Sequence, residues 1–118
     1  MHIEELREYC LQKKGVSESF PFDETTLVFK VGGKMFLLTD IVDDFAIVIK
    51  MNAETVEETR EKYAAVNASR YLDKKYWNAI LIDGSIANKL IKKWIDDSYN
   101  IIFASLTKKA QAAVLSEK

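Results

Sequence analysis

Residues 71–77, YLDKKYW, bring two adjacent lysines together with three aromatic side chains. Lysine ammonium groups neutralise phosphates, and aromatic rings stack on exposed bases, so this combination is typical of a nucleic-acid contact. On this interpretation the contact residues are Tyr71, Lys74, Lys75 and Tyr76. In a second explanation Trp77 fills the core, and the two lysines are merely its solvated neighbours. From these residues alone both explanations stand.

A second pair of lysines surrounds a glycine turn. Lys30 and Lys34 flank Gly32-Gly33 between two β-rich runs, and a two-residue spacer of this kind favours a tight hairpin with positive φ. The predicted tip therefore carries positive charge and could touch a DNA backbone as a wing does. Lysines at strand ends also deter edge-to-edge aggregation, which is the alternative explanation. The glycine pair lacks the spacing and the strand-to-helix context of a nucleotide-binding loop.

Acidic residues cluster near the start of the chain. Glu4, Glu5 and Glu8 form a ridge on a predicted helix, and this ridge could bind a cation or a basic partner. Carboxylates near a helix start are also favoured by the helix dipole, so solvated surface charge is the alternative. Asp43-Asp44, in a predicted turn, and Asp96-Asp97, in a predicted helix, are further pairs; because neighbouring residues of a helix point about 100° apart, Asp96 and Asp97 cannot both face one metal. We therefore assign no metal site and no catalytic dyad.

His2 is the only histidine and Cys10 the only cysteine of the chain. A Ser/His or Cys/His triad needs a well-held imidazole, and a zinc site needs clustered thiolates or imidazoles. Cys10 falls on the apolar face of the predicted first helix, where burial is expected, and a lone cysteine forms no intramolecular disulfide. We predict a protein that is not an enzyme and needs no cofactor.

The periodicity of the chain predicts the elements that must position these residues. Amphipathic helices are expected from His2 to Lys14, from about Ala53 to Tyr63 after an Asn52 cap, and from Ser85 to about Ile102, with a short C-terminal helix possible within 107–118. Four strands are expected at 25–31, 34–39, 45–49 and 77–82, with an ordered connection at 16–24 and a loop at 64–73. The order α-β-β-β-α-β-α predicts an α+β domain whose antiparallel sheet packs against helices largely on one face.

Length and charge complete the expectation. With 118 residues and a net charge of −1, the chain fits one domain, 1–118, with no overall attraction to nucleic acid. Residues 1–66 carry 8 Lys/Arg and 13 Asp/Glu, whereas residues 67–118 carry 9 and 5, so one face would be mildly basic if the fold separates these halves. No apolar run approaches the roughly 20 residues of a membrane span, and the acidic start is unlike a signal peptide. We expect a cytoplasmic protein.

Three stretches together resemble the MmcQ/YjbR family of small bacterial proteins: PFDETTLVFKVGGKMFLL, YLDKKYWNAILIDGS and LIKKWIDDSYNII. The resemblance runs from the first helix to about Lys109. It implies a CyaY-like fold related in shape to frataxin, and a DNA-binding role with a double-wing arrangement. Carried over by position, the motif includes Lys74, Lys75 and Trp77. Tyr71 and Tyr76 stand where relatives often have histidine, and Asp73 where asparagine is usual.

Two functions of different classes follow. The first is weak, non-specific DNA binding through Lys34, Tyr71, Lys74, Lys75 and Tyr76. The second is a protein-interaction or metal-ion-binding module that uses Glu4, Glu5 and Glu8, for which the acidic helix of frataxin is an analogy at the level of the fold. A small-molecule enzyme is the third and least supported class, because the chain offers no imidazole, thiolate pair or phosphate loop for it.

Overall fold

The computed structural model describes residues 1–42, 45–70 and 72–116. Within these ranges the helices are α1 (Ile3–Leu11), α2 (Ala53–Lys62), α3 (Asn88–Ser105) and α4 (Lys108–Leu115). The strands are β1 (Val16–Ser19), β2 (Thr26–Val31), β3 (Lys34–Asp40), β4 (Ala46–Lys50), β5 (Val66–Ala68) and β6 (Trp77–Leu81). The predicted α+β class is confirmed. None of the described helices is long and apolar enough to cross a membrane.

All neighbouring strands pair antiparallel, in the order β1-β2-β3-β4-β6-β5. The four predicted strands form the centre of this sheet. Its two edge strands were not predicted, because β1 and β5 have only four and three residues and β1 is largely polar. The segment 16–24 therefore begins as a strand, and the expected loop 64–73 contains one. Short edge strands of this kind also limit unwanted pairing with other chains.

The helices cover one face of the sheet, and the core is one contiguous cluster. Alternate strand residues such as Phe29, Ile49 and Ile80 are buried there against α1, α2 and α3. A register shift after Phe29 lets both Phe36 and Leu37 join the core. The helical layer therefore holds the central strands from one side only.

Ser98 of α3 fastens this helix across two strands. Its buried hydroxyl donates to the Phe36 carbonyl at 2.6 Å and accepts the Lys50 amide N–H at 2.9 Å. These bonds join α3 to β3 and to the last residue of β4. The position of Lys50 is thus set by the core.

Helix boundaries differ slightly from the predicted ones. α1 ends at Leu11, before Lys14, and α3 begins at Asn88 because Asp83 accepts the Ser85 amide N–H in a turn. The C-terminal helix is present as α4, and Thr107 caps it by accepting the Ala110 amide N–H at 3.1 Å. The ends of helices are the positions that sequence patterns locate least well.

Candidate nucleic-acid interface

The strand register brings the two predicted basic loops to the same end of the sheet. Val31 pairs with Lys34 at the β2–β3 turn, and Lys50 pairs with Trp77 where β4 ends and β6 begins. At strand spacings of about 4.8 Å, the β2–β3 turn and the β5–β6 loop lie roughly 14 Å apart, three spacings, across the sheet. We call this region the basic end; it contains Lys30, Lys34, Lys50, Arg70, Lys74 and Lys75.

The charge separation differs from the one expected between the two halves of the chain. Lys30, Lys34 and Lys50 come from the acidic first half, yet the sheet places them at the same end as Lys74 and Lys75. The charges therefore separate along the strand direction. α2 begins just after Lys50 and carries Glu54, Glu57 and Glu58 on the helix-covered side, so the positive potential is stronger away from α2.

Lys74 and Lys75 are exposed on a tight turn that Asp73 organises. The Asp73 carboxylate accepts the Lys75 amide N–H at 2.9 Å, and its carbonyl accepts the amides of Tyr76 and Trp77 at 3.1 and 3.0 Å. The negative charge between the aromatic residues and the lysines is thus explained by turn formation. Both ammonium groups stay available to solvent.

Arg60 of α2 binds this turn from the helix-covered face of the sheet. Its Nε donates to Asn78 Oδ1 at 2.6 Å, and its guanidinium also donates to the carbonyls of Lys74 and Trp77. Asn78 is fully buried, and its Nδ2 donates to the Val56 carbonyl at 3.0 Å. A guanidinium fork with several acceptors fixes geometry well. Sequence reasoning missed Arg60, since nothing in its helical context indicates that it reaches the β5–β6 loop.

Tyr76 lies between two ammonium groups. Lys50 Nζ is 5.5 Å from its ring centroid and Lys75 Nζ is 5.9 Å from it, within the range of cation–π attraction. Lys50 Nζ is also 6.0 Å from the Trp77 ring. The half-buried tyrosine therefore gathers two cations at one point. Lys50 was not predicted as a site residue, and only its pairing with Trp77 reveals it.

Trp77 is buried, with 9% of its surface exposed, which agrees with the explanation that it packs rather than stacks on bases. Its location differs from the expected one. Asn78 and Ile80 point to the helix-covered face, so Trp77 and Ala79 point to the opposite face. Trp77 thus anchors β6 beneath Lys50, outside the cluster that the helices cover.

The predicted hairpin tip at Gly32-Gly33 is present, with positive φ at both glycines. Lys34 is exposed, and its Nζ lies 3.4 Å from the Ser105 carbonyl at the end of α3. A Cβ at position 32 would come within 2.6 Å of Leu106, so this turn packs closely on the chain that follows α3. The tip is therefore supported by α3. Tyr71, the remaining predicted contact residue, lies outside the described residues.

The predicted acidic ridge lies at the start of α1. Glu4 and Glu8 are exposed, and Glu5 contacts His2, with 3.1 Å between Oε1 and Nε2. Among the described residues no three His, Cys, Asp or Glu side chains are grouped so that they could hold a metal ion. Asp43-Asp44 lies outside the described residues, and Asp97 pairs with Lys93 at 2.9 Å. The ridge therefore remains a candidate for a basic partner.

Asp96 and Cys10 both take part in the packing of α1. The Asp96 carboxylate accepts the Tyr9 hydroxyl at 2.6 Å and pairs with Lys13. Burial, together with the bond to Asp96, raises the pKa of Tyr9 to about 12. Burial likewise raises the pKa of the Cys10 thiol to about 12, so this thiol stays protonated at neutral pH.

An open cleft of about 740 Å³ separates α2 from α3. Tyr63 and Trp94 meet edge to face in its lining, with ring centroids 5.3 Å apart. Glu58 and the paired Asp97 are the carboxylates that line it. The cleft lies on the helix side, away from the exposed lysines of the β5–β6 loop.

The likeness to known proteins extends over most of the chain. The family model YjbR matches residues 11–101. The protein YjbR of Escherichia coli strain K12 is 32% identical over 100 residues, covering 84% of this chain and 85% of that protein. The protein YbdF of Escherichia coli O157:H7 is 25% identical over 112 residues, covering 94% of this chain and 92% of that protein.

Two crystal structures have a similar fold. Protein DR2400 of Deinococcus radiodurans, with a domain named DUF419, superposes with a TM-score of 0.89 at 31% identity, over 95% of this chain and 86% of that one. A protein from Pseudomonas syringae superposes with a TM-score of 0.73 at 22% identity, over 86% of this chain and 98% of that one. The second likeness concerns the fold alone. The chain belongs to the MmcQ/YjbR family.

Proposed function

We propose that this protein binds DNA weakly and without sequence preference through the basic end. The observation that carries the proposal is the gathering of six Lys/Arg side chains around two loops at one end of the sheet, with Asp73 as the acidic residue of the β5–β6 turn. Phosphate contacts supply most of the affinity of non-specific binding. A net charge of −1 does not prevent this, because a local positive surface is sufficient.

The spacing of the two loops supports a contact with duplex DNA. They lie roughly 14 Å apart, close to the width of about 12 Å of the major groove of B-DNA. Lys34 on one loop and Lys74 and Lys75 on the other would then reach phosphates on either side of a groove, as two wings do. Because Asp73 and Arg60 organise the turn at 73–77 before binding, little ordering entropy is lost there.

Tyr76 has a supporting role in this proposal. Its ring attracts the ammonium groups of both Lys50 and Lys75, so the two charges would contact the same stretch of the DNA backbone. The buried Trp77 has little ring surface left for stacking on a base. The surface therefore favours phosphate contacts, and binding should depend little on base sequence.

Fluorescence anisotropy of labelled duplex and single-stranded DNA, at low and at physiological salt, tests the proposal. We expect saturable binding at low salt that weakens steeply as salt rises. Sequences of different composition should bind alike. No binding at low salt to either form of DNA would reject the proposal, and binding that ignores salt would reject the phosphate mechanism.

A protein-interaction role for α1 is the second candidate. Glu4 and Glu8 are exposed, and the α1 start is held beside α3 by a bond of 3.3 Å from the Met1 amino group to Asn88 Oδ1. A fixed acidic surface suits a basic partner. Titration with a basic peptide should shift the amide NMR signals of Glu4, Glu5 and Glu8, and unchanged signals would count against this role.

A further inference from the structure

The end of the sheet opposite to the basic end exposes large apolar side chains. Phe20 and Phe22 follow β1, and Ile41 and Val42 follow β3; their exposed fractions are 46, 67, 47 and 69%. The register places these residues on adjacent connections at one end of the sheet, because Ser19 pairs with Val28, Thr26 pairs with Asp40, and the Ile41 amide donates to the Thr25 carbonyl. We call these four residues the apolar patch.

This concentration is unusual for a protein surface. Six large apolar residues are exposed in the described part of the chain, and four of them form the apolar patch. Single exposed apolar residues are ordinary, whereas grouped ones mark interaction sites. The apolar patch is therefore a candidate interaction site.

The patch is ordered before any partner binds. Asp23 Oδ1 accepts the amides of Thr25 and Thr26 at 2.9 and 2.7 Å, and the Thr26 hydroxyl donates to Asp23 Oδ2 at 3.2 Å. These bonds close the turn after Phe22 and stabilise the carboxylate form, which lowers the pKa of Asp23. On the other strand, Asp40 Oδ1 accepts the Val42 amide at 2.8 Å. Fixed turns thus present the four side chains to solvent.

Carboxylates lie on the same connections as the apolar patch. Asp23 and Glu24 lie between β1 and β2, and Asp40 is the last residue of β3. Asp83 lies two residues after the end of β6, at the same end of the sheet. The connections that carry the apolar patch are therefore acidic.

We propose that the apolar patch docks a segment of another protein that carries a large apolar side chain flanked by lysines or arginines. The apolar anchor would be buried among Phe20, Phe22, Ile41 and Val42, while the carboxylates around the patch pair with the cations. The same carboxylates disfavour an anionic lipid surface, which would attract a basic rim. The proposal is independent of DNA binding, since it uses the opposite end of the sheet.

The probe is a short synthetic peptide with leucine and lysine at helical spacing, titrated into the labelled protein and followed by amide NMR. We expect shifts concentrated at residues 20–26 and 40–42. The double variant Phe22→Ser, Val42→Ser should weaken the binding by about tenfold, because both side chains are anchors that a partner buries. Leu115→Ser removes a leucine that is 58% exposed elsewhere and should leave the affinity unchanged.

The variant Glu24→Gln tests whether the carboxylates contribute to peptide binding. It should modestly weaken the binding of the peptide and reduce the salt dependence of that binding, without disturbing the turn that Asp23 closes. Both variants change exposed side chains, so thermal unfolding close to the wild-type transition would show that they fold.

Several results would overturn the proposal. Peptide shifts confined to residues outside 20–26 and 40–42, or equal binding by the Phe22→Ser, Val42→Ser variant, would exclude the apolar patch. Binding to phosphatidylserine vesicles that the double variant abolishes, without peptide binding, would assign the patch to a membrane. Self-association in sedimentation that the double variant abolishes would assign it to a second copy of the chain.

Discussion

The sharpest test of the basic end is to replace Lys74 and Lys75 together by alanine. If all six cations of the basic end contact phosphates of duplex DNA, log K falls with log salt at a slope of about 5.4, and removal of two contacts reduces the slope to about 3.6. Between 50 and 200 mM salt, the ratio of wild-type to variant affinity should therefore shrink by about twelvefold. The fold should be preserved, because Arg60 binds the Lys74 carbonyl and Asp73 binds the Lys75 amide, neither of which alanine removes.

Anisotropy titrations across this salt range measure both slopes. The matched control is Lys89→Ala, Lys93→Ala, which removes the same charge from the first two turns of α3, near the opposite end. We expect its slope to stay near that of the wild type. An unchanged slope in the Lys74, Lys75 variant would refute the phosphate contact, and an equal fall in the control would mean that net charge alone governs binding.

Three further predictions concern the scaffold. Arg60→Met should lower the free energy of unfolding, measured by urea denaturation, by about 2 kcal/mol, because it leaves the buried Asn78 oxygen without its donor. The control Arg70→Ala changes an exposed side chain and should alter this free energy by less than about 0.5 kcal/mol. Equal effects of the two variants would contradict the role of Arg60. Gly32→Ala should destabilise the protein by about 1 kcal/mol more than Gly33→Ala, since both glycines have positive φ but only a methyl group at position 32 would collide with Leu106. Equal losses of stability in thermal unfolding would exclude this packing. Arg7 donates to Glu18 at 2.8 Å and lowers the pKa of that carboxyl below its unfolded value, so the stabilisation is present above the unfolded pKa and is lost as pH falls through the folded pKa. The Glu18→Gln variant should therefore be less stable than the wild type at pH 7 but approach it in acid. A stability difference that does not depend on pH would refute this linkage.

The central elements of the fold could be predicted because their signals are local. Strands such as β2 and β4 are runs of β-branched and apolar residues, the glycine pair requires a turn with positive φ, and α3 repeats apolar residues at helical spacing. Short β1 and β5 escaped prediction, since they become strands only by pairing with β2 and β6. An edge strand of three or four residues has no periodicity of its own to read.

The candidate site was predictable only in part. Lys34, Lys74, Lys75 and Tyr76 could be proposed from residue type and neighbours, and the family from motifs in order. Lys50 and Arg60 could not, because one enters the site through a strand pairing and the other through contacts 14 to 18 residues away in the chain.

The sequence by itself determined the main helices, the four central strands, the glycine turn between β2 and β3 and which side chains carry charge. Only the tertiary structure decided that cations from both halves of the chain meet at one end of the sheet, with Phe20, Phe22, Ile41 and Val42 among carboxylates at the other. The physical reason is that antiparallel register is a non-local property. It assigns each loop to one end of the sheet through pairings between residues that are far apart in the chain.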